Sequence, residues 1–538
     1  IIKIEKIMSK IKSKVKIKSG LTIDVRLALS IMIVSTAMLA FNFAAAMFSL
    51  PDKEVVVKQN INQKITGIVE LLTTDDFENN IATYLYSINV DGVRYDLQSP
   101  DKQLSDYVGK EVIIDGSIKS DVIIANSIQD TLSKNIYPAV LGEQKYVVVY
   151  LLDGTEDPSF DAQAYTNLHF EGANDFIIQE SMGGANISAL TKTVFFTTPL
   201  CSSFDVKNYA IEAIDAEVDF NQYDGIIIYL PYNSCLNYTA VGSVGKWEVS
   251  TDDGLLPLYY VIMNGYSSSV VPSAVLGHEI GHNFGFAHSA SLECGEFPYR
   301  KPLDSECYYY SYGDRFNIMG GGTYSTHYSL SNKLKAGWIA DKEVIIANLG
   351  TYALASIENS DGFMPRGIKI PILWDAEDIK AIELYYQSYY LYLAEYGVTD
   401  YFLEYWSDID MSWFSDEVFD CPDNTYGLSP SDVERGLLIR VGADPEYKLD
   451  FSLTMHPNTE VCWGSDIQDS CRPDSCLNMA MFSEPFKFLL EGETYYDQFN
   501  NMKITLLSAG DETATVKISR IYDDIDAYEI RSEERRVG

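Results

Sequence analysis

The sequence predicts a multidomain α+β protein, and three patterns carry that expectation. Short alternating apolar runs separated by turn signals fill residues 55–131; longer apolar runs alternate with helical stretches over 144–283; beyond 341 the runs are short and strand-like again. The expected order is a basic N-region with a signal peptide or transmembrane anchor (1–50), a small OB-like β-barrel (51–140), an α/β domain (141–345), a β-sandwich of accessory type (346–523) and a tail (524–538). A chain of 538 residues has room for about three domains with sizeable cores.

Residues 1–20 hold seven Lys and one Glu and precede an apolar run over 27–50 broken only by Ser, Thr and Asn. That run is long enough to span a bilayer, and with the lysines retained on the cytoplasmic side everything after it is exported. Ala44-Ala45-Ala46 also offers small residues for signal-peptide cleavage, so an anchored and a secreted form both stay open. All eight Cys lie at or beyond Cys201, which fits an oxidising exterior. Cys294 with Cys307, and less strongly Cys201 with Cys235, are the expected bridges.

Runs at 65–71, 81–89, 93–97, 111–118 and 122–128, with Asp91-Gly92 and Asp115-Gly116 as turn signals, give five strands in under ninety residues and hence the small barrel. It contains no Cys. In the α/β domain, 146–152, 194–197 and 225–230 read as strands and 205–218 as a helix. The Ser-rich loop that follows leads to Pro272, which suits the first turn of the next helix.

That helix carries His278-Glu279-Ile280-Gly281-His282-Asn283-Phe284-Gly285-Phe286-Ala287-His288, which reads H-E-x-x-H-x-x-G-x-x-H without a mismatch. His278 and His282, four apart, project from one helical face and can hold one metal, while Glu279 points beside it. Gly285 gives a position without a Cβ where the helix ends and the chain swings round to bring His288 in as third ligand. The shorter H-E-x-x-H arises by accident in many helices; background composition gives the extended form a chance below about 10⁻⁵ in such a chain. Three of the six His fall inside it. Three neutral imidazoles leave one zinc position for water, the mark of a catalytic site, and Glu279 is placed as general base. The chemistry these residues imply is peptide hydrolysis by Glu-assisted attack of zinc-bound water, with one catalytic Zn2+.

The extended motif, followed by Tyr312-Gly313-Asp314-Arg315-Phe316-Asn317-Ile318-Met319-Gly320, resembles the metzincin metalloproteases with their Met-turn, and among them the gametolysin family. The resemblance implies a metzincin α/β catalytic domain, Met319 as the Met-turn methionine beneath the metal, and a protein or peptide substrate in a cleft between an upper and a lower half. Leu330-Ser331-Asn332-Lys333-Leu334-Lys335-Ala336-Gly337-Trp338 and Tyr401-Phe402-Leu403-Glu404-Tyr405 are looser matches. Some metzincins carry a Tyr two residues after the methionine; here that position is Gly321, and Tyr324 and His327 are the candidates for oxyanion or substrate contact. The barrel, placed ahead of such a domain, reads as a prodomain or spacer. Without a Cys it has no thiolate to plug the zinc, so any latency is steric or carried by another ligand.

Beyond 341, runs at 344–354, 367–373, 436–441, 486–490 and 502–508 read as the strands of the sandwich. Within it, 385–414 is dense in Tyr, Trp and carboxylates, a composition that suits a core and also a glycan- or protein-binding face. With 77 acidic against 40 basic residues the formal charge is -37, which repels polynucleotides and excludes nucleic acid as a partner class. Such a surface is compatible with Ca2+, although no Ca2+-binding motif is present. The last eight residues, Arg531-Ser532-Glu533-Glu534-Arg535-Arg536-Val537-Gly538, match the translation of a common sequencing adapter and are expected to be artefactual.

Two function classes stand: an extracellular or surface-anchored zinc metalloendopeptidase, reaching the membrane through its N-terminal segment if that is uncleaved, and a cell-surface binding or adhesion protein with a zinc-bearing but inactive protease-like domain. Retention of Glu279 favours the first, since a dead relative would most simply have lost its base.

Overall fold

The computed structural model describes residues 14–16, 22–24, 63–372, 400–407, 435–442, 453–454, 489–497 and 502–520, except 77–80, 91–92, 100–103, 120, 132–138, 155–159, 266–271, 295–306, 311, 313, 315, 321–325 and 359–363. Ile1–Asn60 and Ile61–Gly538 are two compact units. In the first, β1 (Lys14–Lys16) and β2 (Thr22–Asp24) pair antiparallel. The expected apolar segment over 27–50 and the tail beyond 520 lie outside the described residues. Among the described residues no helix is long and apolar enough to cross a membrane.

The second unit begins with β3 (Gln63–Asp76), β4 (Ile81–Val90), β5 (Val93–Gln98), β6 (Glu111–Lys119) and β7 (Val122–Asp130). β3 pairs with both β4 and β6, β4 with β5, β5 with β7, and β7 with β6, so the pairings return to their start. Ile65, Val69, Leu71, Ile88, Val112, Ile114 and Ile123 fill the interior. The first strand is longer than the expected 65–71, and its second half has another neighbour. Beyond the end of β6, Leu72 to Asp75 pair antiparallel with β11 (Ala240–Ser243).

β11 joins this circuit to the central sheet. After it come β13 (Gly254–Asn264), β10 (Gly225–Leu230), β8 (Gly142–Leu152) and, at the far edge, β9 (Ala185–Phe195), with β12 (Trp247–Thr251) folded back on β13. β9 corrects the expected strand at 194–197, which catches only its end. The pairs β9–β8, β8–β10 and β10–β13 are parallel, so both faces must be covered. Tyr146, Val148 and Tyr150 pack on one face with α1 (Ala162–Glu180) and α3 (Pro272–Asn283); Val147, Val149 and Leu151 pack on the other with α2 (Ser203–Ile214). The alternation follows the period of two of a strand, which is why the continuous run at 146–152 reads as a buried strand. α1 went unread in the sequence, because its apolar stripe is weak and Asp161, its N-cap, stands inside a polar stretch.

The remaining strands form two sheets. One runs β15 (Cys307–Tyr310), β14 (Ala290–Cys294), β21 (Leu453–Thr454), β20 (Gly436–Gly442), β19 (Asp400–Trp406), β18 (Gly367–Pro371), β16 (Val344–Ile346); the other runs β17 (Gly350–Ala355), β24 (Thr513–Arg520), β23 (Met502–Ala509), β22 (Thr494–Asp497). Leu354, Ile368, Leu403, Ile439, Ile504 and Val516 share one core between them. The first sheet takes β14 and β15 from before residue 345, so it crosses the expected domain boundary. Cys294 and Cys307 are register partners there, and Cys201–Cys235 is a disulfide with Cα atoms 5.3 Å apart. Of the aromatic-rich 385–414 stretch, the described strand β19 is buried throughout, so Tyr401, Phe402, Tyr405 and Trp406 are core.

Two buried ionic groups tie these strands to the region after α3. Arg440 of β20 donates to Asp314 (2.8 Å) and pairs with Glu404, whose other oxygen accepts the Leu330 N–H that opens α4 (Leu330–Lys335). His327 lies between Glu180 at the end of α1 (Nδ1–Oε1 2.5 Å) and Glu358 (Nε2–Oε1 3.3 Å), with Lys333 also on Glu180 at 3.1 Å. Burial opposes the charge on His327, but the two carboxylates outweigh it and hold the imidazole above its ordinary range. Burial likewise opposes ionisation of Glu180 and Glu358, and the imidazolium holds both below theirs.

A raised His contributes stability that is complete below its unfolded pKa of about 6.5 and is lost as pH rises through the folded value; the lowered carboxylates contribute above about 4.3 and lose theirs in acid. His327→Gln is therefore expected to destabilise most between about pH 4.5 and 6.5, by about 3 kcal/mol for a broken buried pair, with a smaller penalty in alkali. Unfolding midpoints of both proteins across pH 5–9 check this; a penalty independent of pH would contradict the ionic reading.

Candidate metal centre

α3 places His278 and His282 one turn apart on the same face, and their Nε2 atoms approach to 3.1 Å. The helix ends at Gly285, whose φ of 91° is in the left-handed region that a side chain resists. The Gly285 N–H donates to His282 O at 2.8 Å and the Phe286 N–H to Gly281 O at 3.0 Å, closing the last turn. The reversal brings the Nε2 of His288 to 3.1 Å from that of His282. All three rings are buried.

The outer nitrogens explain the orientation. His278 Nδ1 faces Ile318 O at 2.7 Å and His282 Nδ1 faces Phe286 O at 2.7 Å, which assigns the proton to Nδ1 and leaves the Nε2 lone pair directed inward. His288 Nδ1 meets the Tyr84 hydroxyl of β4 at 2.9 Å. Burial pushes His278 well below its ordinary range, and also lowers His288 although Asp75 opposes it. The Nε2 lone pairs of His278 and His282 thus face one spot that the His288 ring also reaches, a position a cation could occupy. Ligand atoms of a tetrahedral zinc or similar ion with bonds of about 2.0–2.1 Å lie roughly 3.3 Å apart, close to what is seen.

A fourth group completes the set. Asp75, from β3, is fully buried with Oδ1 2.8 Å from His288 Nε2 and Oδ2 3.5 and 3.9 Å from those of His282 and His278. Asp75, His278, His282 and His288 offer ligand atoms within 4.8 Å of one another, a group that could hold a metal ion. Tyr312 donates its hydroxyl to Asp75 Oδ1, while Oδ2 has no hydrogen-bond partner. Burial, then the Asp75 charge, drive the Tyr312 phenol far above its ordinary range, so it stays a donor. Burial opposes the charge on Asp75, but the facing imidazoles hold its carboxyl well below the usual range.

Glu279 is buried beside this group with neither carboxylate oxygen hydrogen-bonded. Burial, then the neighbouring Asp75, push it well above the usual carboxylate range. Gly242 of β11 lies directly over it: a Cβ there would stand 2.6 Å from Glu279 Oε2.

Beneath the rings the segment Asn317-Ile318-Met319-Gly320 makes a tight turn, with the Gly320 N–H on Asn317 O at 2.9 Å and the Met319 N–H on Asn317 Oδ1 at 2.9 Å. Ile318 supplies the carbonyl that orients His278, and Met319 O accepts the Ser289 N–H at 2.9 Å, fixing the residue after His288. The Met319 sulfur packs against Gly281, where a Cβ would collide with it. Met319 is thus a floor to the cluster. Tyr324 lies outside the described residues. His327 has both ring nitrogens engaged by Glu180 and Glu358, so the structure does not bring it to the histidine cluster as an oxyanion donor.

Asp75, Tyr84 and Tyr312 escaped the sequence reading. A signal for Asp75 was present: Ile65, Val69, Leu71, Thr73 and Asp75 share one face of a strand, and all are buried. Continuing the period of two past Leu71 points a carboxylate inward.

No family model and no curated protein sequence matches the chain. Among solved structures, one described as a chaperone–substrate complex shares 10% identity, with a TM-score of 0.19, over 40% of this chain and 34% of that one. The crystal structure of metalloproteinase-II from Bacteroides fragilis shares 15% identity, with a TM-score of 0.23, over 48% of this chain and 77% of that one. The chain thus spans about a third of the first and about three quarters of the second. The second is a distant structural neighbour that is a metalloproteinase.

Gly281→Ala forces the Met319 sulfur away and is expected to lower stability by about 1–3 kcal/mol, as overpacking does, despite the better helix propensity of Ala. Met319→Leu nearly conserves volume and is expected to cost under about 1.5 kcal/mol. Chemical denaturation of the three proteins checks the order; a Gly281→Ala protein as stable as wild type would contradict the close packing.

Proposed function

We propose that the protein is an extracellular zinc-dependent metalloendopeptidase of metzincin type, most like the gametolysin family. The observation that carries this reading is the buried carboxylate of Glu279, without a hydrogen-bond donor, beside three imidazoles whose Nε2 atoms converge. Three nitrogen donors suit zinc and not the oxygen-seeking Ca2+. His278, His282 and His288 would hold the ion.

Zinc, when bound, brings the pKa of a water towards about 7 and polarises a carbonyl oxygen. Glu279 takes the water's proton as the C–O bond forms at the scissile carbonyl, and hands it to the leaving amine as the C–N bond breaks. We read the closed circuit β3 to β7 as an OB-like prodomain, and the two C-terminal sheets as a β-sandwich of accessory type. The lysine-rich N-terminus with its apolar run supports export, on an anchor or free, and the Cys201–Cys235 disulfide suits an oxidising compartment. The net charge of -37 argues against nucleic acid.

A second reading, a surface binding protein with an inactive zinc site, is favoured by one observation: Asp75 fills a fourth ligand position, and a closed four-ligand set is the mark of a structural zinc. Glu279→Ala separates the two. It should keep zinc and lose at least about 10² in kcat, the usual cost of a general base, whereas His282→Ala should lose the metal. Zinc content and peptide turnover are measured in each, both on the wild-type background and on Asp75→Ala. Undiminished cleavage by the Glu279→Ala protein would refute the mechanism, and absence of cleavage on both backgrounds would favour the binding protein.

A further inference from the structure

Lys207, in the second turn of α2, differs from the other buried cations. Lys333, Arg366 and Arg440 each meet a carboxylate, at 3.1, 3.2 and 2.8 Å. Lys207 is 5% exposed, yet among the described residues its ammonium meets no carboxylate and makes no hydrogen bond. Its surroundings are aromatic. The Nζ lies 5.6 Å from the ring centres of both Phe204 and Tyr260. Arg94 of β5 shares Phe204 at 5.6 Å and stacks over Trp247 of β12 at 4.1 Å. The Trp247 and Tyr260 rings meet edge to face with centres 5.3 Å apart. The charges of Arg94 and Glu70 act on both Lys207 and Tyr260, so these side chains form one cluster.

Two further donors in the cluster lack an acceptor. The Tyr260 hydroxyl and Trp247 Nε1 are buried without a hydrogen-bond partner. Nearby carboxylate oxygens are already engaged: Glu70 Oε2 accepts from Arg94 at 2.7 Å and from Ser87 at 3.5 Å, and Glu248 Oε2 accepts from Asn89 at 2.6 Å. Buried donors left unpaired are costly and rare in native proteins, and a bound ion is one of the few things that satisfies them. An ammonium, a phenol and an indole N–H beside a guanidinium ask for one acceptor with several oxygens and negative charge. Burial, reinforced by Arg94 and opposed by Glu70, lowers the Lys207 amine to about 8, which leaves it protonated at neutrality and without a counter-ion.

We infer that Lys207, Arg94, Tyr260 and Trp247 form a binding site for a small tetrahedral oxyanion, sulfate in preference to hydrogen phosphate. Its oxygens accept from the ammonium, the phenol and the indole, and its charge stands between two cations that otherwise repel across the contact of β5 with α2. The preference follows from the donor set. Sulfate has no proton and needs no acceptor, whereas hydrogen phosphate keeps an O–H that must find one. Phe204, exposed at the surface and lying against both cations, is the wall between this cluster and solvent. The site is independent of the hydrolase reading and uses none of the metal-centre residues.

Equilibrium dialysis of the full-length protein against radiolabelled sulfate or phosphate, at constant ionic strength set with chloride, tests it. One sulfate per chain is expected to bind saturably, with phosphate weaker. Lys207→Met should lower sulfate affinity at least about tenfold, the effect of losing a charged hydrogen-bond donor. Tyr260→Phe, which changes no charge, should lower it about threefold or more, a loss that a purely electrostatic attraction would not show. Both substitutions remove an unpaired buried polar group, so both proteins should fold and, without sulfate, unfold at temperatures no lower than wild type. Added sulfate should raise the midpoint of wild type and leave that of Lys207→Met nearly unmoved. Absence of saturable binding by wild type would overturn the inference, since the donors would then be served by water. Undiminished binding by Lys207→Met and Tyr260→Phe would overturn it by placing the anion elsewhere, and tighter binding of phosphate than of sulfate would overturn the assignment from the donor set.

Discussion

Three buried imidazoles converge on one spot, and much of the surrounding structure holds them in that arrangement. Two backbone carbonyls and one tyrosine hydroxyl face the outer nitrogens and turn the inner ones towards each other. The left-handed Gly285 lets the chain reverse within one turn of His282. The turn at Asn317 to Gly320 supplies one of those carbonyls and the sulfur that fills the space under Gly281. Burial also lowers His278 and His288 below their ordinary range, towards the uncharged state that metal ligation requires. Asp75 and the three histidines together could hold a metal ion at that spot.

The floor of the cluster is itself supported from outside the central sheet. Asp314, three residues before the turn, accepts from Arg440 on β20, and Glu404 joins that arginine to the first N–H of α4. Glu180, His327, Glu358 and Lys333 make a second buried ionic group linking α1, the segment before α4, and the C-terminal strands. Breaking either leaves a buried charge without its partner, which is the costly direction. The C-terminal sheets therefore act on the centre through the segment between His288 and α4, and β14, drawn from that segment, physically continues their sheet.

How much of this was legible depended on the range of the interaction. The helix, its two histidines, the glycine reversal and the third histidine are all set within eleven residues, so local spacing sufficed. Met319 is 31 residues beyond His288 and came from resemblance, since nothing local says a methionine will lie under a helix. The parallel strands at 146–152 and 225–230 announced themselves by continuous apolarity. β9 was misplaced because its burial is confined largely to its first residues and the rest is half-exposed. Asp75 was the largest omission. Its role depends on β3 leaving one circuit of strands to pair with β11, some 165 residues away in sequence, and such a pairing leaves only the weak local trace of an inward-facing carboxylate. The partners of His327 were not legible either: it stands near Met319 in sequence, while Glu180 and Glu358 come from distant elements.

The central claim is that this chain binds one metal through His278, His282 and His288. X-ray absorption at the zinc edge on the full-length protein tests it most directly. The account expects one zinc per chain, with outer-shell scattering from three imidazoles and a first shell completed by oxygen at about 2.0–2.2 Å. A zinc-free protein that takes up none, or a first shell containing sulfur at about 2.3 Å, would contradict it.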